Sequence, residues 1–118
     1  MASLSIGEIS AVVLDVSDLE RAKEFWIRLL GLEVQIEIPD FAFLKPPDGG
    51  AGITLQRVDE PRAGKNRAHP DLRVHDRVAA RQRVLDLGGS AIAEAEYEGF
   101  PWSVMADPDG NEFCIGEG

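Results

Sequence analysis

The sequence predicts an α+β domain in which two tandem βαβββ modules form a curved eight-stranded sheet around a cleft. The chain has 118 residues, which suits one domain of ordinary size. In each half, the apolar pattern predicts one strand, one helix and three further strands. The halves also repeat one another at a spacing of 58 residues, which pairs Leu14, Val16, Asp18, Ala22, Leu29 and Gly31 with Leu72, Val74, Asp76, Ala80, Leu87 and Gly89.

The first module is predicted over about residues 6–58. Residues 9–16 are rich in Val and Ile and predict a buried strand. Ser17 and Glu20 have the spacing of a capping box, and the helix that follows carries apolar residues at helical spacing until Gly31 ends it. Three short strands are then predicted over residues 32–38, 41–45 and 51–58.

The second module is predicted over about residues 68–116, after an exposed linker at 59–67 that is rich in charge, Pro and Gly. A strand at 69–74 leads to Asp76 as the cap of a helix at 77–87. That helix is expected to bury Val78, Val84, Leu85 and Leu87. Further strands are predicted near residues 90–95, 101–106 and 111–116. The whole chain, residues 1–118, is therefore expected to be a single domain.

The composition of the chain limits the kinds of binding partner that we expect. The chain has 12 Lys and Arg against 21 Asp and Glu, a net charge of −9. A surface this acidic repels phosphate backbones, so nucleic acid is not an expected partner. No apolar run approaches the ~18 residues of a membrane helix, and the first residues lack the pattern of a secretory signal. The single cysteine, Cys114, cannot form an internal disulfide. We therefore expect a cytoplasmic protein that does not bind membranes.

Two signatures resemble the vicinal oxygen chelate superfamily, which includes glyoxalase I, extradiol dioxygenases, fosfomycin-resistance enzymes and bleomycin-binding proteins. One signature spans residues 16–32 and contains Phe25 and Trp26, and the other spans residues 107–113. Three further segments resemble the glyoxalase-like domain branch of that superfamily; they are residues 55–58, 69–74 and 111–114. The resemblance covers about residues 6–116 and implies the paired βαβββ fold.

The resemblance also implies four positions for metal ligands. In metal-dependent members these hold His or Gln, Glu, His and Glu on the first, fourth, fifth and eighth strands. Here they fall on Ala11, near Thr54, on His69 and on Cys114, so only His69 matches. An open catalytic site needs three or more protein ligands. The sequence therefore predicts a protein with no metal site and no cofactor.

Strand alternation sorts the residues that would line the cleft, because side chains at i and i+2 share a face. It predicts a ligand-binding set made of Asp15, Thr54, Gln56, Trp102, Glu112 and Cys114. It also places His69, Asp71 and Arg73 on the same concave face. Either the charged residues form a structural ion-pair network, or Arg73 anchors an anion while Asp71 or His69 acts as a general base.

Three functions remain open at this point. The first is binding of a small organic molecule without a complete metal site, as in bleomycin-resistance proteins. The second is a lyase, isomerase or dioxygenase-like enzyme that uses His69, Asp71 and Arg73. The third is a structural or regulatory dimer module. Proteins that resemble this chain are usually homodimers, so we expect a twofold dimer.

Overall fold

The computed structural model describes residues 9–60, 63–64 and 68–117. The predicted α+β fold of two tandem βαβββ modules is confirmed, and its eight strands form two four-stranded hydrogen-bonded sheets. Residues 61–62 and 65–67 of the predicted linker lie outside the described residues, as do residues 1–8 and 118.

The two modules have the same connectivity. The first consists of β1 (Ala11–Val16), α1 (Leu19–Leu30), β2 (Glu33–Ile38), β3 (Phe41–Lys45) and β4 (Gly52–Arg57). The second consists of β5 (Asp71–Arg73), α2 (Arg77–Asp86), β6 (Ser90–Tyr97), β7 (Phe100–Ala106) and β8 (Glu112–Gly116). The strand orders are β1-β4-β3-β2 and β5-β8-β7-β6, and the first strand of each module runs parallel to its last.

The start of α1 differs from the predicted capping box. Asp18 is the N-cap, and its side chain accepts a hydrogen bond from the Arg21 backbone N–H at 3.1 Å. The Ser17 hydroxyl instead donates to Asp109 in the second module at 2.6 Å. Gly31 ends the helix as predicted, with a φ of 66° that an L side chain rarely adopts. The cap prediction failed because a long-range partner took the Ser17 side chain.

One apolar core joins the two modules. Phe25 and Trp26 of α1 are almost fully buried and pack edge to face against Phe113 of β8. The ring centroids of Trp26 and Phe113 are 5.0 Å apart, a favourable separation for aromatic pairs. Phe113 and Ile115 of β8 point into this core, so the alternate residues of β8 point away from it.

The second helix contributes less to this core than the sequence predicted. Val84 is fully buried, and Leu85 and Leu87 pack against the core as partly buried residues. Val78 is 70% exposed, so its predicted burial is wrong. It lies in the first turn of α2, two residues after the exposed cap Asp76. Within the described residues, neither helix has the length and apolar character needed to cross a membrane.

A buried carboxylate also ties the modules together. Asp107 is 2% exposed and accepts hydrogen bonds from four N–H groups: the Trp26 indole, the Asn111 side chain, and the backbones of Asp109 and Asn111. Burial raises the pKa of the Asp107 carboxyl, and the bonds from Asn111 and Trp26 oppose that rise. The side chain of Asn111 also donates to the Asp15 backbone carbonyl at 3.0 Å.

We predict that Asp107→Ala lowers the free energy of unfolding by about 2–3 kcal/mol, because buried N–H donors lose their acceptor. Urea denaturation followed by circular dichroism measures the effect. Asp86→Ala is the control: Asp86 is exposed and accepts a bond from Gln82 one turn earlier on α2. The control should change stability by less than about 0.5 kcal/mol. Equal losses in the two variants would contradict the assigned role of Asp107.

Candidate functional site

A hollow with a volume of about 1020 Å³ lies over the second sheet. Its wall is mainly apolar and aromatic, with charged groups along one side. The lining residues include His69, Asp71, Arg73, Ile92, Tyr97, Phe100, Trp102, Val104, Glu112, Cys114 and Gly116. A concave, mostly apolar hollow with a few polar groups is the usual form of a small-molecule site.

Strand register explains why these side chains meet. Phe113 and Ile115 of β8 are held in the core, so Cys114 must face the hollow. Cys114 lies opposite Asp71 of the parallel neighbour β5 and opposite Val104 of the antiparallel neighbour β7. The residues paired with Cys114 therefore share its face of the sheet.

His69, Asp71 and Cys114 form a compact cluster of potential metal ligands. One ligand atom from each residue lies within 4.8 Å of the other two. His69 Nδ1 is 3.5 Å from Asp71 Oδ1 and 3.8 Å from Cys114 Sγ. Ligands about 2.0–2.3 Å from a tetrahedral zinc ion lie about 3.3–3.7 Å apart. Small side-chain movements would therefore bring all three atoms into coordination range of one ion.

The donor set suits a borderline divalent transition metal. Imidazole, carboxylate and thiolate are together typical ligands of zinc and its first-row neighbours. Cys114 is 8% exposed, whereas the side chains of His69 and Asp71 are 39% and 80% exposed. The cluster thus combines a buried sulfur with two ligands that solvent and small molecules reach.

Arg73 lines the same hollow two residues beyond Asp71. Among the described residues it makes no ion pair with an Asp or Glu side chain. The predicted alternative of a bracing network between Arg73, Asp15 and Asp71 is therefore not formed in the described part of the chain. Arg73 keeps its donors available to an anionic group in the hollow.

The other residues predicted for the cleft are divided among separate hollows. Trp102, Glu112 and Cys114 line the hollow of the second sheet. Thr54 and Gln56 line a hollow of about 470 Å³ on the first sheet. Asp15 lines a third hollow, of about 850 Å³, which His69 also borders. The structure therefore does not bring the predicted ligand-binding residues together in one cleft.

The sequence prediction missed several wall residues of the hollow over the second sheet. Ile92, Tyr97, Phe100 and Val104 line it, as does Gly116. Alternation along β7 could have found Phe100 and Val104, because they lie at even spacing from Trp102 on the same face. The register shift between Ala91 and Ala93 in β6 hides the alternation on that strand.

Comparison with known proteins agrees with this fold. The family profile of the "Glyoxalase-like domain" matches residues 11–116, and the chain belongs to this family. No curated protein sequence matches the chain significantly.

Solved structures share the fold at low sequence identity. One is a fosfomycin resistance protein, FosX, from Listeria monocytogenes, with 17% identity, a TM-score of 0.78, and coverage of 98% of this chain and 92% of that one. It was crystallised as a point mutant with Mn(II) and 1S,2S-dihydroxypropylphosphonic acid. A member of the glyoxalase/bleomycin resistance protein/dioxygenase superfamily from Sphaerobacter thermophilus has 22% identity, a TM-score of 0.74, and coverage of 96% and 98%. A glyoxalase-related enzyme from Fulvimarina pelagi has 17% identity, a TM-score of 0.73, and coverage of 94% and 88%.

The prediction that this protein has no cofactor is contradicted. A structure with the same fold holds Mn(II), and three ligand atoms converge here on the second sheet. The prediction tested only the four positions implied by the resemblance. It overlooked Asp71, which lies two residues after His69 and adds a carboxylate beside Cys114.

Proposed function

We propose that this glyoxalase-like domain binds a small organic molecule in the hollow of the second sheet, next to a divalent metal ion. His69, Asp71 and Cys114 would hold the ion. The observation that carries the proposal is the approach of the three ligand atoms to within 4.8 Å at the wall of a hollow of about 1020 Å³. Mn(II) and a small organic acid in a fosfomycin resistance protein of the same fold support it.

The side chains of this chain have separate tasks in the proposal. Arg73 would bind an anionic group of the ligand through its guanidinium donors. Trp102 and Phe100 would cover the apolar body of the ligand and exclude water from it. When bound, the metal ion would act as a Lewis acid toward an oxygen atom of the ligand.

Catalysis as a lyase or isomerase is the second candidate function. The cluster offers three protein ligands, the number typical of catalytic zinc sites, whereas structural sites have four. Glu112 is a further carboxylate on the wall of the same hollow and in this candidate would exchange a proton with a bound molecule. In this candidate, His69 and Asp71 serve as metal ligands rather than as the general base.

Sequestration of a cationic drug, as in bleomycin-resistance proteins, is less well supported by the hollow. With an ion held by Asp71 and Cys114, the charged side chains left on its wall would be Arg73 and Glu112, which together give a cation no net attraction. The overall charge of −9 favours cations only through long-range attraction. We therefore favour a neutral or anionic ligand.

We also propose that the protein works as a twofold homodimer. The open face of the first sheet carries Ile36 and Ile38 opposite Phe43 and Phe41, and Ile36 is 53% exposed. The radius of gyration is 15.0 Å, against about 13–14 Å for a compact chain of this length. A second copy would cover this apolar face, and exposed patches of this kind mark interaction sites.

The metal site predicts stoichiometric binding of Co²⁺ to the purified, metal-depleted protein. Thiolate coordination by Cys114 should produce a sulfur-to-cobalt charge-transfer band in the near ultraviolet. His69→Ala should weaken binding at least tenfold, and Cys114→Ser should remove the band, because each loses one of three ligands. Optical titration measures both effects.

The chain contains its own control for this experiment. Its other histidine, His75, lies before α2 and outside the cluster, so His75→Ala should bind Co²⁺ like the unchanged protein. The metal proposal is wrong if the unchanged protein shows no charge-transfer band at millimolar Co²⁺, or if the two histidine variants behave alike.

The dimer predicts a mass near twice 12.9 kDa in multi-angle light scattering. Ile36→Glu should shift the protein toward the mass of one chain, because the dimer would bury an unpaired carboxylate. Val78→Glu is the control, since Val78 is 70% exposed on α2, away from the first sheet. A single-chain mass for the unchanged protein at 100 µM would disprove the dimer.

A further inference from the structure

We propose that Arg73, Gly116 and Trp102 form a slot that selects a planar organic anion, such as an aryl carboxylate. The inference rests on the proposed function, because the slot is part of the same hollow. In this slot, Arg73 would bind the carboxylate and the Trp102 indole would cover the flat body of the molecule. Gly116 would leave the space between them open.

Strand register places these three residues in one row. Gly116 of β8 lies opposite Arg73 of β5 on one side and opposite Trp102 of β7 on the other. Neighbouring strands are about 4.8 Å apart, so the backbones of Arg73 and Trp102 are separated by about 10 Å. All three residues line the hollow, so the row forms part of its floor.

The fold does not require glycine at position 116. A Cβ atom added there would lie 3.6 Å from Trp102 Cβ and 3.7 Å from Phe100 Cε1, which is ordinary contact. The backbone φ of Gly116 lies outside the left-handed region that favours glycine. By contrast, a Cβ at Gly52 would collide with the Leu44 carbonyl oxygen, and one at Gly89 would approach the Ala106 carbonyl oxygen to 2.6 Å. Those two glycines are structural, whereas position 116 has room for a Cβ atom in contact with Trp102 and Phe100, and a larger side chain there would press against these two aromatic residues.

The internal repeat shows what fills this position elsewhere. In the first sheet, Gln56 lies between Asp15 and Phe41, as Gly116 lies between Arg73 and Trp102. The strand order and pairing are the same in both sheets, so the two rows are equivalent. The first row therefore carries an acid and an amide side chain, whereas the second carries a cation and a glycine with no side chain.

The chemistry of the second row selects the ligand class. Arg73 is the only Lys or Arg among the described residues that line the hollow, and it has no ion pair there. A carboxylate matches the planar fork of a guanidinium in a bidentate geometry. An aromatic face prefers a flat partner, which gains about 0.5–1.5 kcal/mol beyond the area that it buries. A planar carboxylate satisfies both groups at once.

Three probes of similar size separate the two requirements. Benzoate is flat and anionic, cyclohexanecarboxylate is anionic without being flat, and benzyl alcohol is flat without charge. Isothermal titration calorimetry on the zinc-loaded protein should show benzoate binding at least fivefold more tightly than cyclohexanecarboxylate and at least tenfold more tightly than benzyl alcohol. If benzoate binds no more tightly than both other probes, or does not bind at millimolar concentration, the inference is wrong.

Two variants test the residues directly. Arg73→Gln should weaken benzoate binding at least tenfold and abolish its advantage over benzyl alcohol. Gly116→Val should fill the slot and weaken benzoate binding at least tenfold, while Gly116→Ala should have a smaller effect in the same direction. Arg83→Gln is the matched control, because Arg83 is exposed on α2 and makes no ion pair within the described residues.

Co²⁺ binding separates failure of the slot from failure of the proposed function. Both Arg73→Gln and Gly116→Val should keep the cobalt charge-transfer band and the circular dichroism spectrum of the unchanged protein. Unchanged benzoate affinity in these two variants, with the band intact, overturns the slot and leaves the metal site standing. Absence of the band in the unchanged protein overturns the proposed function whatever the probes do.

Discussion

The packing of β8 against α1 is the constraint on which the site depends. Phe113 contacts both Phe25 and Trp26, and Ile115 is buried beside them. Because side chains alternate along a strand, these two anchors force Cys114 and Gly116 onto the opposite face. This one core contact therefore decides that the sulfur of Cys114 and the glycine at position 116 both face the hollow. The buried Asp107 holds the loop before β8 by accepting hydrogen bonds from Trp26 and Asn111.

The sequence predicts the fold well because its signals are local. Hydrophobic period, the Asp76 cap and the Gly31 stop each depend on a few neighbouring residues, and all three are present in the structure. Alternation also assigned the core face of β1, β4 and β8 correctly: Leu14, Leu55 and Phe113 are buried as expected. The predicted burial of Val78 and the predicted capping box of α1 were wrong, because both features depend on tertiary contacts that lie outside any local window.

The site is less predictable because it depends on distances between strands. The residue types His69, Asp71 and Cys114 were identified from the sequence. Their convergence was not, because the parallel register of β5 and β8 places Asp71 opposite Cys114. The division of the predicted cleft has the same origin: Thr54 and Gln56 lie on the first sheet, and their hollow shares no lining residue with that of the second. A burial pattern shows which side of a strand is open, but it does not show whether the open faces of two sheets line the same hollow.

The two modules keep one backbone plan and differ in the chemistry of their open faces. Ala11, Val13 and Asp15 of the first module correspond in the repeat to His69, Asp71 and Arg73 of the second. The first face is mainly apolar, with stacked Phe41 and Phe43 rings, and suits contact with another protein surface. The second face carries the potential metal ligands His69 and Asp71 and the cationic Arg73 beside an apolar wall. Under the proposed function, the duplication would supply one surface for assembly and one for ligand binding.

The proposed function depends on one metal ion held by His69, Asp71 and Cys114 at the second sheet. Anomalous diffraction from crystals grown with zinc, recorded on both sides of the zinc absorption edge, tests it most directly. We expect one strong peak per chain, about 2.0–2.3 Å from His69 Nδ1, an Asp71 carboxylate oxygen and Cys114 Sγ. A zinc-containing crystal with its anomalous peaks elsewhere, and with Cys114 Sγ bonded to no metal, would contradict the account.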